Sequence, residues 1–151
     1  VFDINIDDEF LEIVSSEMKF SRLDNGAPGD LNGAWLMSAR IRDGKKQERD
    51  ISRPRKTMKI LSGTRFQWIA YNTETKKFMA TGGGTYTTLK GKYKENIEFF
   101  SRDNSKVGLN LEFDYEILTK TDDKKLVSQK NWYHKGFSSK GNPINEIWTQ
   151  R

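Results

Sequence analysis

The sharpest pattern in the chain is a two-residue period. Leu109, Leu111, Phe113, Tyr115 and Ile117 alternate with Asn110, Glu112, Asp114 and Glu116. A strand written this way has one dry face and one wet face, so its register is strongly specified. The preceding segment, 93–102, pairs naturally with 108–118 across Asp103-Asn104-Ser105 and puts Tyr93, Glu95, Ile97 and Phe99 on one face. In the following segment, 126–135, Leu126, Ser128, Lys130, Trp132 and His134 share a face. If these faces turn inward, Glu95, Tyr115, Trp132 and His134 meet in one interior. A single bulged residue would exchange the faces beyond it.

Gly33-Ala34-Trp35 begins a strand over 35–42, followed by a charged loop over 43–55. Segments 56–61 and 65–72 read as a hairpin across Ser62-Gly63-Thr64. Segment 78–89 follows a turn at 72–76, and 144–150 completes eight strands joined by short turns. Trp148 near the last residue, Arg151, suggests that the final strand returns beside the first. The expected fold is all-β, an eight- to ten-stranded antiparallel up-and-down barrel over 31–151. A preface over 1–30 precedes it. Within the preface, 2–6, 10–14 and 18–23 read as three short strands. A helix over 8–18, capped by Asp7 or Asp8 with Phe10, Ile13, Val14 and Met18 on one face, is the rival. The turn formers of 24–30 mark the boundary.

Composition supports a folded barrel with a core made of rings. Only 34% of the residues are hydrophobic, yet there are four Trp, nine Phe and five Tyr. With no cysteine, disulfides, thiolate catalysis and cysteine-ligated metals are excluded. No apolar run approaches the roughly 20 residues of a membrane-spanning helix. The chain begins Val-Phe-Asp without a basic and apolar leader, and so reads as processed or cut from a longer precursor. Charge is uneven: residues 1–31 carry eight acids against Lys19 and Arg22, while the whole chain is +5. The acidic preface and the basic remainder are therefore expected to attract each other.

The candidate chemistry is sparse. Residues 40–59 hold nine basic and three acidic residues but no aromatic ring, so a nucleic-acid stacking surface is not expected. A solvated loop or a cradle for the preface is the safer reading. Gly82-Gly83-Gly84 lacks the Lys-Ser/Thr pair and helix of a nucleotide loop. Three glycines within a strand more often mark a bulge or a close approach of backbones. His134 is the only histidine, which excludes multi-histidine metal sites. One axial histidine would suffice for haem, but a packed strand-end residue is the commoner role. Glu95 and Glu98 are three apart and face opposite sides of a regular strand. A buried Glu95 would require a donor, with Arg40, Tyr86 or His134 as candidates.

Taken together, Gly33-x-Trp35, Phe66-x-Trp68, Thr81-Gly82-Gly83-Gly84-Thr85-Tyr86, Glu95-Asn96-Ile97-Glu98-Phe99, and Ser138-Ser139-Lys140-Gly141 leading to Glu146-Ile147-Trp148 resemble the secreted lipocalin-like, calycin-type domains of Bacteroidota. The resemblance covers 31–151. It implies a barrel with a small-molecule cavity in an exported protein, at the periplasm, the cell surface or outside the cell. It also assigns Arg151 a place over the opening Trp35. Lys19-Phe20-Ser21-Arg22-Leu23 resembles the last strands of such a domain, which makes the preface a remnant of an upstream unit. The chain departs from many secreted lipocalins in having no cysteine and no long C-terminal helix.

The function expected is non-enzymatic binding of a small apolar or aromatic molecule. Trp68, Tyr71, Tyr86, Tyr115 and Trp132 would be the walls, and Arg40, Glu95 and His134 the polar anchors. The alternative is a lyase or isomerase in which Glu95 or His134 is the base and Tyr86 or Arg40 stabilises developing negative charge. A third reading is an interaction module that self-associates, or joins an upstream domain, through the preface. No cofactor and no metal are expected.

Overall fold

The computed structural model of the chain describes residues 3–24, 29–122 and 127–151. Phe2, the turn formers 25–28 and Leu126 lie outside the described residues. The preface forms strands: β1 (Ile4–Ile6), β2 (Phe10–Ile13) and β3 (Met18–Ser21) make a three-stranded antiparallel sheet of their own. The rival helix is absent because Asp7 caps a turn rather than a helix. Its Oδ1 accepts the backbone N–H groups of Glu9 at 2.8 Å and Phe10 at 2.7 Å, and the chain then enters β2. Ile4, Ile6, Met18 and Phe20 of this sheet are exposed. Asp24 ties the segment to the barrel, its Oδ2 accepting from Ser62 Oγ at 2.5 Å and Thr64 Oγ1 at 2.6 Å. These partners lie in the turn after residue 61 and not in the basic 40–59 stretch.

The barrel has eight strands: β4 (Gly33–Arg42), β6 (Arg55–Leu61), β7 (Arg65–Asn72), β8 (Lys77–Leu89), β9 (Lys92–Phe100), β10 (Asn110–Asp122), β11 (Val127–Phe137) and β12 (Pro143–Gln150). Each pairs antiparallel with its sequence neighbour, and β12 returns to pair with β4, which closes the ring. A further strand, β5 (Lys45–Glu48), pairs with the outer half of β4. Residues 33–36 of β4 pair with β6, whereas residues 39–42 pair with β5. The β4–β6 seam is therefore zipped at one end of the barrel and parted at the other.

The zipped end is filled by rings. Trp35 is fully buried and its indole N–H donates to the Leu31 carbonyl at 2.7 Å. Its ring meets Trp132 edge-on at 5.8 Å, and Trp132 meets Tyr93 edge-on at 5.1 Å, an arrangement favoured by the ring quadrupoles. Arg151 is exposed, and its backbone N–H donates to the Ala34 carbonyl at 2.9 Å. The indole N–H of Trp35 is thus satisfied by Leu31.

The glycine run makes a bulge. Register between β8 and β9 shifts between Gly83 and Gly84, where Gly84 pairs with Ile97 and Gly83 with Phe99, so Glu98 is the extra residue. A Cβ on Gly84 would stand 2.0 Å from the Asn96 carbonyl oxygen, a backbone contact that cannot yield. The bulge corrects the expected face of β9. Tyr93, Glu95 and Ile97 are buried as expected, but Phe99 is turned to the exposed side, and Phe100 faces Trp68 at 5.4 Å inside.

Candidate functional site

Above the plug of rings the barrel holds an open cup of about 440 Å³. Its apolar wall includes Trp68, Ile97, Phe100, Leu111, Phe113 and Trp148, and its polar groups are Arg40, Lys59, Glu95, His134 and Glu146. Arg102 and the 138–140 turn stand at its margin. Gly82 contributes the room for the wall, since a Cβ there would meet Trp68 Nε1 at 2.6 Å.

Strand register places the polar groups. Lys59 sits across from Trp35 on β4 and Trp68 on β7, so it shares their inward face. Its ammonium is 2.6 Å from Glu95 Oε1, with both side chains only 6% exposed. Tyr93 OH donates to the same oxygen at 2.8 Å. Burial, and then Glu95, push the Tyr93 phenol well above its ordinary value, so it remains a donor. Lys59 Nζ also lies 4.9 Å from the Trp132 ring centre and 5.0 Å from that of Tyr93, an aromatic surround that attracts a cation. The pair is thus held by a carboxylate and by ring faces.

A second polar group comes from β4, β11 and β12. Glu146 pairs across the ladder with His134 on one side and Arg40 on the other. Arg40 Nη2 is 3.4 Å from Glu146 Oε1, and His134 Nδ1 is 3.8 Å from Glu146 Oε2, too far for a hydrogen bond. His134 is 2% exposed, and neither ring nitrogen has a hydrogen-bond partner. Its ring lies 4.1 Å from that of Phe113. Burial, then the Lys59 charge, press its pKa below 6.5. Burial alone would raise the Glu146 carboxyl, but His134 when it carries a proton, together with Lys59 and Arg40, outweighs it and holds the group below the usual carboxylate range. Among the described residues, no three of His, Asp and Glu come together as metal ligands.

The depressed imidazole has a consequence for stability. The native state takes up this proton less readily than the unfolded chain, so stability is complete above about pH 6.5 and falls as the pH drops below it. The loss is limited to about 1.4 kcal/mol per pH unit. Urea unfolding of the wild type should show a decline between pH 7 and pH 5, a window above that of Glu146. In His134→Gln the decline should be much reduced. A flat wild-type profile would mean that the imidazole is protonated in place at no cost.

Of the residues singled out in the sequence, Arg40, Trp68, Glu95 and His134 come together in the lining of the cup. Trp132 lies beneath it, fully buried. Tyr71 is three residues from Trp68 and therefore on the outer face, where its OH contacts Met58 Sδ at 2.9 Å. Tyr86 and Tyr115 belong to the filled end. Tyr86 OH donates to the Ser62 carbonyl at 2.6 Å, and burial with Asp24 and Asp30 pushes its pKa to about 12. Tyr115 OH donates to Asp30 Oδ2 at 2.8 Å. Glu95, His134, Tyr86 and Arg40 therefore do not converge as a set. Glu98 faces outward and pairs with Arg65 at 2.7 Å.

Lys59 and Glu146 are the groups that sequence reasoning missed, and Tyr93 was placed inward without a role. For Glu146 a signal existed, since it shares the face of Ile144 and Trp148. Lys59 gave none. Thr57, Lys59 and Leu61 carry one apolar side chain and Lys56, Met58 and Ile60 carry two, so the pattern of β6 turns the wrong face inward.

Among the described residues no helix is long and apolar enough to cross a membrane. A comparison with curated proteins finds no match. A family model described as a domain of unknown function, DUF4488, matches residues 30–150. That span takes in every strand of the barrel and leaves out the three-stranded sheet of the preface, so the chain belongs to the DUF4488 family.

Proposed function

We propose that the barrel is a lipocalin-like container that binds one small apolar or aromatic molecule without transforming it. The observation that carries this reading is the unequal filling of the interior: rings occupy one end, while the other holds an aromatic-walled cup of about 440 Å³. That volume is in the range of small-molecule sites. Export of the protein is part of the proposal and rests on the sequence resemblance to secreted lipocalin-like domains.

A neutral fluorescent probe, N-phenyl-1-naphthylamine, tests the reading. The wild type should bind it saturably at one site with enhanced fluorescence. Leu111→Trp, which places a large ring in the cup, should weaken binding at least tenfold, about 1.4 kcal/mol. Absence of saturable binding, or equal binding by Leu111→Trp, would overturn the proposal.

A further inference from the structure

The polar groups of the cup fall into two classes. Two cations are compensated: Lys59 by Glu95 at 2.6 Å and Arg40 by Glu146 at 3.4 Å. Two others, Arg102 and Lys140, line the same cavity, and among the described residues neither has a carboxylate within 4 Å. Arg102 follows the end of β9 and donates only a long bond, 3.5 Å, to the Met79 carbonyl. Lys140 occupies the turn between β11 and β12 beside Ser138 and Ser139, which line the cup as well. Its charge is felt by Asp103, whose carboxylate is bound first by Ser105 and lies 3.8 Å from Lys106. Four cations and two carboxylates thus line the cup, and the surplus of +2 resides at the margin, with His134 neutral.

Resting on the reading of the barrel as a container, we infer that its ligand is an amphipathic anion. An apolar or aromatic body enters the cup, and a carboxylate, sulfonate or similar head remains at the margin against Arg102 and Lys140. Charge-assisted hydrogen bonds from a guanidinium and an ammonium are the strong kind, and a low-dielectric wall behind them limits screening. A second anion placed deep in the cup would meet Glu95 and Glu146, so the head belongs outside and the apolar body inside. A neutral ligand would leave the marginal cations as they are and gain only from the wall.

Two probes that differ by the sulfonate alone, 1-anilinonaphthalene-8-sulfonate and N-phenyl-1-naphthylamine, separate the parts of this inference. The wild type should bind the sulfonate roughly tenfold more tightly than the neutral probe. In Arg102→Ala/Lys140→Ala that ratio should fall to within about twofold. In Lys90→Ala/Lys130→Ala, which removes the same charge from exposed positions outside the lining of the cup, the ratio should persist. Equal binding of the two probes by the wild type would overturn the anion assignment and leave the container reading standing. A preference that survives in Arg102→Ala/Lys140→Ala, or disappears in Lys90→Ala/Lys130→Ala, would also overturn it. If neither probe binds, both the container reading and this inference fall.

Discussion

Lys59→Met is expected to destabilise the protein by about 3–5 kcal/mol, because it leaves Glu95 as an uncompensated charge among rings. Glu95→Gln should cost a comparable amount by leaving Lys59 without its carboxylate. The pair lines the cup yet is almost wholly covered: both side chains are 6% exposed, Tyr93 caps the same oxygen, and Trp132 and Tyr93 face the ammonium. The double variant Lys59→Met/Glu95→Leu should lose far less than the sum of the single changes, since buried ion pairs are often replaced by apolar residues at little cost. It still orphans the Tyr93 hydroxyl, worth about 1–3 kcal/mol, and adding Tyr93→Phe should recover that part. Urea unfolding of the four variants measures each step. Single-variant losses below about 1 kcal/mol would mean that the ammonium is reaching solvent through the cup.

Trp35→Ala should cost about 3–5 kcal/mol, the range for deleting a large buried aromatic side chain. Two losses combine there: the ring that meets Trp132, and the donor to the Leu31 carbonyl. Trp35→Phe keeps most of the ring and removes the donor, so it should fall between wild type and Trp35→Ala by thermal or urea unfolding. Because Trp35 belongs to the filled end, binding of the neutral naphthylamine probe should survive Trp35→Phe. Equal stability of Trp35→Phe and Trp35→Ala would assign the whole effect to the hydrogen bond.

These two positions show where sequence reading succeeds and where it stops. Trp35 was legible because a glycine, a tryptophan and the return of Trp148 define a strand pair whatever the rest does. Strand β10 was legible because its two faces are unambiguous, and the inward face of β9 followed from it as far as Ile97. Beyond Ile97, the bulge at Glu98 exchanged Phe99 for Phe100; the glycine run on β8 signals a bulge, but a segment aromatic at both positions does not show where on β9 the extra residue falls. Lys59 was illegible for a different reason. A lysine on a strand reads as solvated, and its burial depends on Glu95, Tyr93 and Trp132, three residues on two strands far along the chain. Tyr86 and Tyr115 were correctly assigned to an interior, but parity along a strand tells inside from outside and says nothing about which end of a barrel a side chain occupies.

The pairing of β12 with β4 also governs how the chain can reach its native state. Residues such as Gln150 and Trp35 become neighbours only by closing a loop of more than a hundred residues. Long-range pairings of this kind slow folding, because chain entropy is lost before the contact returns any free energy. Every other barrel ladder joins strands adjacent in order, so a curled open sheet can assemble first, with β4 and β12 as its two free edges. During that interval Trp35 and Trp148 would be open to water and to other chains. The commitment to closure, rather than the making of any one hairpin, would then set the folding rate and the time during which the molecule is prone to aggregate.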